Sequence, residues 1–200
     1  MQSTDLPLFP LSAVLLPYGR VPLQIFEQRY LDLVRDCMKN DSGFGVVWIR
    51  RGEEVIRAGQ GRQQLGEVGT MARIIDWDQL ANGLLGITIE GGERFDLGAT
   101  RIAANGLVLG EASIRESPAP APVADMWSSL RDILESLGEH PQVRRMGLAI
   151  DPDDAWQLGY GLAQLLPLDE SLKYELLTLD NADQLLDQLD LMLSEISGEA

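Results

Sequence analysis

The chain has 200 residues and a formal net charge of −15, from 16 basic and 31 acidic side chains, with 45% hydrophobic residues, one cysteine and one histidine. A chain of this length can bury roughly 70% of its unfolded surface without staples, and the lone Cys37 excludes an intrachain disulfide framework. The N-terminus MQSTDLPLFP lacks a basic and apolar leader, and no run approaches the ~18 apolar residues of a membrane span, so the expected compartment is the cytoplasm.

The acid is unevenly spread. Residues 1–117 carry 12 basic and 15 acidic side chains, a net of −3, while residues 118–200 carry 4 and 16, a net of −12. Such a surface repels nucleic-acid phosphates and anionic lipid, which are held largely by Lys and Arg.

In chain order, Leu6 to Tyr30 (LPLFPLSAVLLPYGRVPLQIFEQRY) comes first. Pro7, Pro10, Pro17 and Pro22 rule out one long helix, because each lacks an N–H and pushes its predecessor toward extended backbone. Two or three short strands are expected, with a turn at Tyr18-Gly19 for which Gly19 supplies the positive φ. From Phe26 the period becomes helical, with Phe26, Tyr30, Leu33, Val34 and Cys37 on one face. Phe44–Ile49 (FGVVWI) has strand composition. Residues 50–64 are polar and glycine-punctuated and read as a long loop with a short strand at Val55-Ile56.

Strand character resumes over Leu65–Trp77, and Asn82-Gly83 predicts a type I′ hairpin into residues 84–90. Gly91-Gly92 is expected to turn the chain into Arg94–Thr100, and Gly106 to open a last strand. Residues 1–116 thus read as an antiparallel β domain of about six or seven strands with one early helix, and its frequent glycines suit a small closed or partly closed barrel. Ser117–Pro122 (SPAPAP) predicts an extended spacer. Residues 123–200 form a bundle of four or five helices, with Gly138 as a helix stop and Asp151, Asp169 and Asp180 as N-caps. The fold class is α+β.

Five segments in this order carry a resemblance: Leu6–Leu11 (LPLFPL), Ile25–Tyr30 (IFEQRY), Phe44–Val47 (FGVV), Val68–Ile74 (VGTMARI) and Glu90–Phe95 (EGGERF). Leu165–Leu168 (LLPL) followed by helices agrees with it. The chain resembles the N-terminal substrate-binding domain of the Lon protease family, here expected as a free-standing protein. The resemblance implies a PUA-like β-barrel lobe followed by a helical lobe, and recognition of unfolded or damaged protein. It does not imply catalysis, because full Lon proteases place ATPase and Ser-Lys protease modules after this region.

The residues agree with a non-enzymatic reading. No G-x-x-x-x-G-K-S/T occurs, the only lysines are Lys39 and Lys173, and one histidine with one distant cysteine makes neither a triad nor a zinc site. His140 reads as a partner of a helix C-terminus, and Asp151-Pro152-Asp153-Asp154 lacks calcium-loop spacing. No catalytic, cofactor or metal residue is expected. Trp48 and Trp77 end apolar strands beside polar loops, and with Arg50, Arg51, Val55 and Ile56 they form the candidate peptide-binding set. The groove between lobes is a second candidate surface. Three partner readings stay open: unfolded or partly folded polypeptide segments, a single dedicated protein partner, and RNA bound through Arg50, Arg51, Arg57 and Arg62, against which the acidic balance argues.

Overall fold

The computed structural model describes residues 4–52 and 63–197, which include two compact units, Met1–Ser117 and Pro118–Ala200. In the first, β1 (Thr4–Leu11), β2 (Arg20–Ile25), α1 (Gln28–Asn40), β3 (Phe44–Arg51), β4 (Gln64–Gln79), β5 (Leu85–Ile102) and β6 (Val108–Ile114) make one sheet in the order β2-β5-β4-β3-β1-β6. A further β5–β6 pairing closes β5, β4, β3, β1 and β6 into a ring. β2 stays outside it, paired with β5 alone. One pairing departs from the antiparallel expectation: β1 runs parallel to β3. The connection between them is long and carries a helix, as a parallel crossover requires.

The near-continuous apolar runs of β1 and β3 follow from burial on both faces. Successive side chains of a strand point to opposite faces. Leu6 and Leu8 join Val47, Phe95, Val108 and Ala112 in one cluster. Phe9 and Leu11 join Val46, Phe44 and the helix residues Tyr30, Leu33, Val34 and Cys37 in another. Phe9 and Tyr30 stack with ring centroids 4.0 Å apart. In the first cluster Phe95 is fully buried, and glycine makes its space: a Cβ at Gly69 would stand 2.4 Å from the Phe95 ring.

Several local readings are corrected. Val14–Leu16 is buried loop, not strand. The turn that follows has Pro17 and Tyr18 at its centre, closed by Gly19 N–H donating to the Leu16 carbonyl at 3.0 Å, and Tyr18 rather than Gly19 takes the positive φ of 62°. That is a type II turn with proline at its second position. Helix α1 begins at Gln28 behind the N-cap Glu27, so Phe26 lies outside the helix and off its apolar stripe.

Asn82-Gly83 is not a two-residue I′ loop. Only Gly83 has positive φ, Gly83 N–H donates to the Leu80 carbonyl at 2.8 Å, and Asn82 accepts from Leu84 N–H at 3.1 Å. Ala104-Asn105-Gly106 repeats the same device between β5 and β6. Gly91-Gly92 does not turn the chain; it lies inside β5 beside a register shift with β4. There a Cβ on Gly91 would stand 2.1 Å from the Leu16 carbonyl oxygen.

The second unit has a short 3-10 turn over Asp125–Trp127 and helices α2 (Ser128–Gly138), α3 (Pro141–Met146), α4 (Ala155–Leu165), α5 (Glu170–Thr178) and α6 (Ala182–Ser197). α4 is buried almost all round and packs on α6 and α2. Gly138 is the last residue of α2, whose C-cap is Glu139 in helical conformation. His140 follows the end of α2, its backbone N–H donating to the Leu137 carbonyl at 3.0 Å, and its side chain caps the start of α3, Nδ1 accepting from Gln142 N–H at 3.3 Å. The N-cap of α4 is Asp154, three residues after the expected Asp151. Asn181, not Asp180, accepts the capping bond from Gln184 N–H at 3.1 Å. Ala121 and Pro122, at the end of the proline-alanine stretch, bond and bridge to the Asp154 segment of the helical unit. Among the described residues no helix is long and apolar enough to cross a membrane.

Candidate functional site

β2 is short, contains a proline, and forms the outer end of the sheet. Proline is accepted within a sheet where its missing N–H would face away from a neighbouring strand. This sets the peptide groups of Pro22 and, two residues on, Gln24 toward the open side.

The registers across β4, β5 and β2 place three rows of side chains side by side. Trp77, Ile87 and Leu23 make one row; Asp76, Thr88 and Pro22 the next on the opposite face; Asp78, Gly86 and Gln24 the third. Ile87 is buried and Leu23 packs on the core, but Trp77 at the end of its row is 60% exposed. A recess of about 250 Å³ opens here, lined by Pro22, Gln24, Trp77, Gly86 and Thr88 among others. A second, of about 160 Å³, lies between Phe9–Leu11 of β1 and Pro22–Ile25 of β2, closed by Phe26, Glu27 and Tyr30. Both recesses share Pro22, Leu23 and Gln24. Phe26 is 59% exposed beside the second one.

The charges around this surface divide into two kinds. Arg20 pairs with Glu90 at 2.7 Å across the β2–β5 ladder, and Arg29 with Glu27 at 2.8 Å. Arg29 also donates to the Gly106 carbonyl at 3.0 Å and lies 4.6 Å from the Tyr30 ring centroid, so it is a structural clamp. Asp76 and Asp78 instead accept from the backbone N–H of Trp77 and Gln79, at 2.9 and 2.7 Å. Among the described residues no cation pairs with either, which leaves two exposed carboxylates flanking the Trp77 backbone.

The sequence candidates fall at separate places. Trp48 is partly buried, and its indole N–H donates to the Ser12 carbonyl at 3.1 Å. Arg50 and Arg51 are exposed at the end of β3, where Arg51 pairs with Gln64. Val55 and Ile56, with Arg57 and Arg62 of the RNA reading, lie outside the described residues. Ile49 opposes Leu65 at the start of β4, whereas Trp77 stands near its end, so the two tryptophans sit toward opposite ends of that strand. Trp127 and Trp156 are buried in the helical unit; the Trp127 indole donates to Asp187 at 3.2 Å.

Phe26, Pro22, Asp76 and Asp78 escaped the sequence reading. Phe26 fits the helical spacing of Tyr30 and Leu33, and only the N-cap position of Glu27 separates it from that stripe. Pro22 carried the signal for an edge strand, and Asp76-Trp77-Asp78 the signal for an exposed strand end, since charges on both sides of an aromatic do not suit a core.

Among the described residues the side chains that most often carry chemistry are buried or engaged. Cys37 is buried, and desolvation pushes its thiol pKa up, opposed by Ser42 and assisted by Asp36, which suppresses the reactive thiolate at neutral pH. Lys173 pairs with Glu170 at 2.9 Å. Among the described residues no group of three or more His, Cys, Asp or Glu side chains is placed to hold a metal.

Comparison with known proteins bears on the family and the fold. Residues 5–195 match the family model described as the ATP-dependent protease La (LON) substrate-binding domain. A Lon protease 2 from Myxococcus xanthus is 33% identical over 91 residues, 45% of this chain and 11% of that protein. A Lon protease from Anaeromyxobacter dehalogenans is 32% identical over 91 residues, 45% of this chain and 10% of that protein. The similarity thus spans about a tenth of each protease. Among solved structures, a Lon N-terminal domain protein from Xanthomonas campestris superposes with a TM-score of 0.73 at 38% identity, over 93% of this chain and 96% of that one. The N-terminal domain of a Mycobacterium avium complex Lon protease shares the fold, with a TM-score of 0.60 at 16% identity over 93% and 96% of the two chains.

Proposed function

The chain belongs to the Lon substrate-binding domain family, and on that premise we propose that it is a non-catalytic protein-binding module that takes up exposed apolar segments of unfolded or partly folded polypeptides. The observation that carries this reading is the pair of large apolar side chains, Phe26 and Trp77, left 59% and 60% exposed beside recesses that share one edge strand. A soluble unit gains nothing in stability from such groups in water. Placed against a client they bury area worth roughly 25 cal/mol per Å² and supply rigid aromatic anchors.

The non-catalytic part of the reading is supported by what the sequence lacks: it contains no Gly-Lys pair and hence no phosphate-cradling loop. The similarity to the two Lon proteases covers only about a tenth of either one.

Fluorescence anisotropy with a labelled, permanently unfolded protein tests the proposal. Binding should be saturable, should be competed by the unlabelled unfolded chain and not by its native form, and should weaken about ten-fold or more in the Phe26→Ser, Trp77→Ser double variant. Equal binding by wild type and double variant would refute it.

A further inference from the structure

Resting on that reading, we infer that the client segment binds as an added strand along the open edge of β2, and that the site prefers an apolar segment with basic flanks. Three independent features converge on this.

The first is the backbone. β2 pairs with β5 on one side only, and among the described residues no strand covers its other side. From Pro22 onward the outward groups are the Pro22 carbonyl and the N–H and carbonyl of Gln24, one donor and two acceptors in line. An extended peptide can satisfy these by strand addition, whereas a helical ligand has free backbone groups only at its two ends. Pro22 removes the neighbouring donor. It thereby restricts pairing to a short run and guards the edge against copying itself indefinitely.

The second is the placement of the recesses. Side chains of an added strand alternate between the two faces of the sheet. The 160 Å³ recess beside Leu23, Ile25 and Phe26 borders this same edge, and the 250 Å³ recess opens beyond Pro22 and Gln24. Alternate apolar side chains of an extended segment therefore meet apolar surface on both sides of the edge.

The third is charge. Asp76 and Asp78 are exposed and have no cation partner among the described residues, while the neighbouring Arg20 and Arg29 are already engaged by Glu90 and Glu27. The exposed Arg73 lies three residues from Asp76 on the same strand, but the two carboxylates outnumber it, so lysine or arginine flanking the apolar segment is attracted and acidic flanks are repelled.

The experiment uses two fluorescent peptides of about ten residues with identical leucine-threonine alternation at the centre, one with paired arginines at each end and one with paired glutamates. Wild type should bind the arginine-flanked peptide at least ten-fold tighter at low salt, with the difference shrinking as salt rises. Gln24→Pro removes the outward donor that follows Pro22 without touching the β5 ladder, and should weaken that peptide about ten-fold with an unchanged thermal midpoint. Asp76→Asn with Asp78→Asn should abolish the preference between the two peptides.

Should Gln24→Pro fail to fold, the same question is put to wild type with a peptide N-methylated at alternate amides, which cannot add as a strand and should bind about ten-fold more weakly. Undiminished binding by folded Gln24→Pro, or by the N-methylated peptide, overturns strand addition. Equal affinity for the two flanks overturns the charge preference. If wild type binds the unfolded protein but shows neither effect, only this inference falls; if it binds no unfolded chain at all, the proposed function falls with it.

Discussion

The cluster around Phe95 and the open edge at β2 belong to the same sheet and share strands β4 and β5, yet they treat large apolar side chains in opposite ways. At Phe95 the strands spend glycines to admit one ring completely: Gly45 and Gly69 each lie where a Cβ would come within 2.8 Å of it. At β2 the same strands run out past the ring, and Trp77 finishes a cross-strand row with most of its surface in water. The difference separates residues that make the fold from residues that the fold presents. Substitutions at the first should act on stability, and those at the second on binding.

The largest effect that could break this division is at the buried end. Phe95→Ala leaves a cavity among Leu8, Val47 and Ala112, and should cost about 3–5 kcal/mol. Urea unfolding reads this as a lowered midpoint with an unchanged slope. A cost below about 1 kcal/mol would mean that the cluster is looser than its glycines indicate.

How much of this was legible depends on the kind of signal. The α+β class, the early helix and the run of helices after the strands follow from period and composition, because each element buries a stripe that its sequence must spell out. The turns were less legible. Tyr18, not Gly19, takes the left-handed conformation, because the type II geometry set by Pro17 places its third position there, and the bonds from Tyr18 N–H to the Gly91 carbonyl and from Gly91 N–H to the Gly19 carbonyl hold it. Caps were displaced by a few residues for a similar reason: several aspartates precede α4, and tertiary contacts decide among them. The candidate site was the least legible part. Trp48 and Trp77 look alike in sequence, both closing apolar strands, and nothing local records that a carbonyl from the β1–β2 loop reaches one of them and not the other.

Of intermediate size is a contrast between aspartates. Asp154 is 6% exposed and accepts from Trp156 N–H, Ala121 N–H and the Gln157 amide. Asp154→Ala strips the α4 cap and a tie to the Ala121 segment, and should destabilise the helical unit by about 1–2 kcal/mol in chemical unfolding, with Asp154→Asn recovering part of it. Asp76→Asn and Asp78→Asn, by contrast, should leave stability within about 0.5 kcal/mol, because both side chains are solvated and accept only local bonds. Equal costs for the buried and exposed aspartates would erase the distinction between fold-making and presented groups.

The smallest effect tests the division within one residue type. Trp48→Phe keeps an aromatic ring between β1 and β3 but deletes the N–H that reaches the Ser12 carbonyl at 3.1 Å, and should cost about 0.5–1.5 kcal/mol, the net value of one intramolecular hydrogen bond. Trp77→Phe deletes an indole N–H already in water, so its cost should fall within about 0.5 kcal/mol, and its binding should drop only slightly because an exposed aromatic anchor remains. Trp77→Ser should leave unfolding unmoved and weaken binding of the unfolded protein, by less than the double variant does. If Trp48→Phe instead weakens client binding while Trp77→Ser does not, the binding surface lies at the β3 end of the sheet near Arg50 and Arg51, and the open edge of β2 is scaffold. The two tryptophans therefore decide between the ends of β4 with substitutions that the fold tolerates, which the larger core changes cannot do.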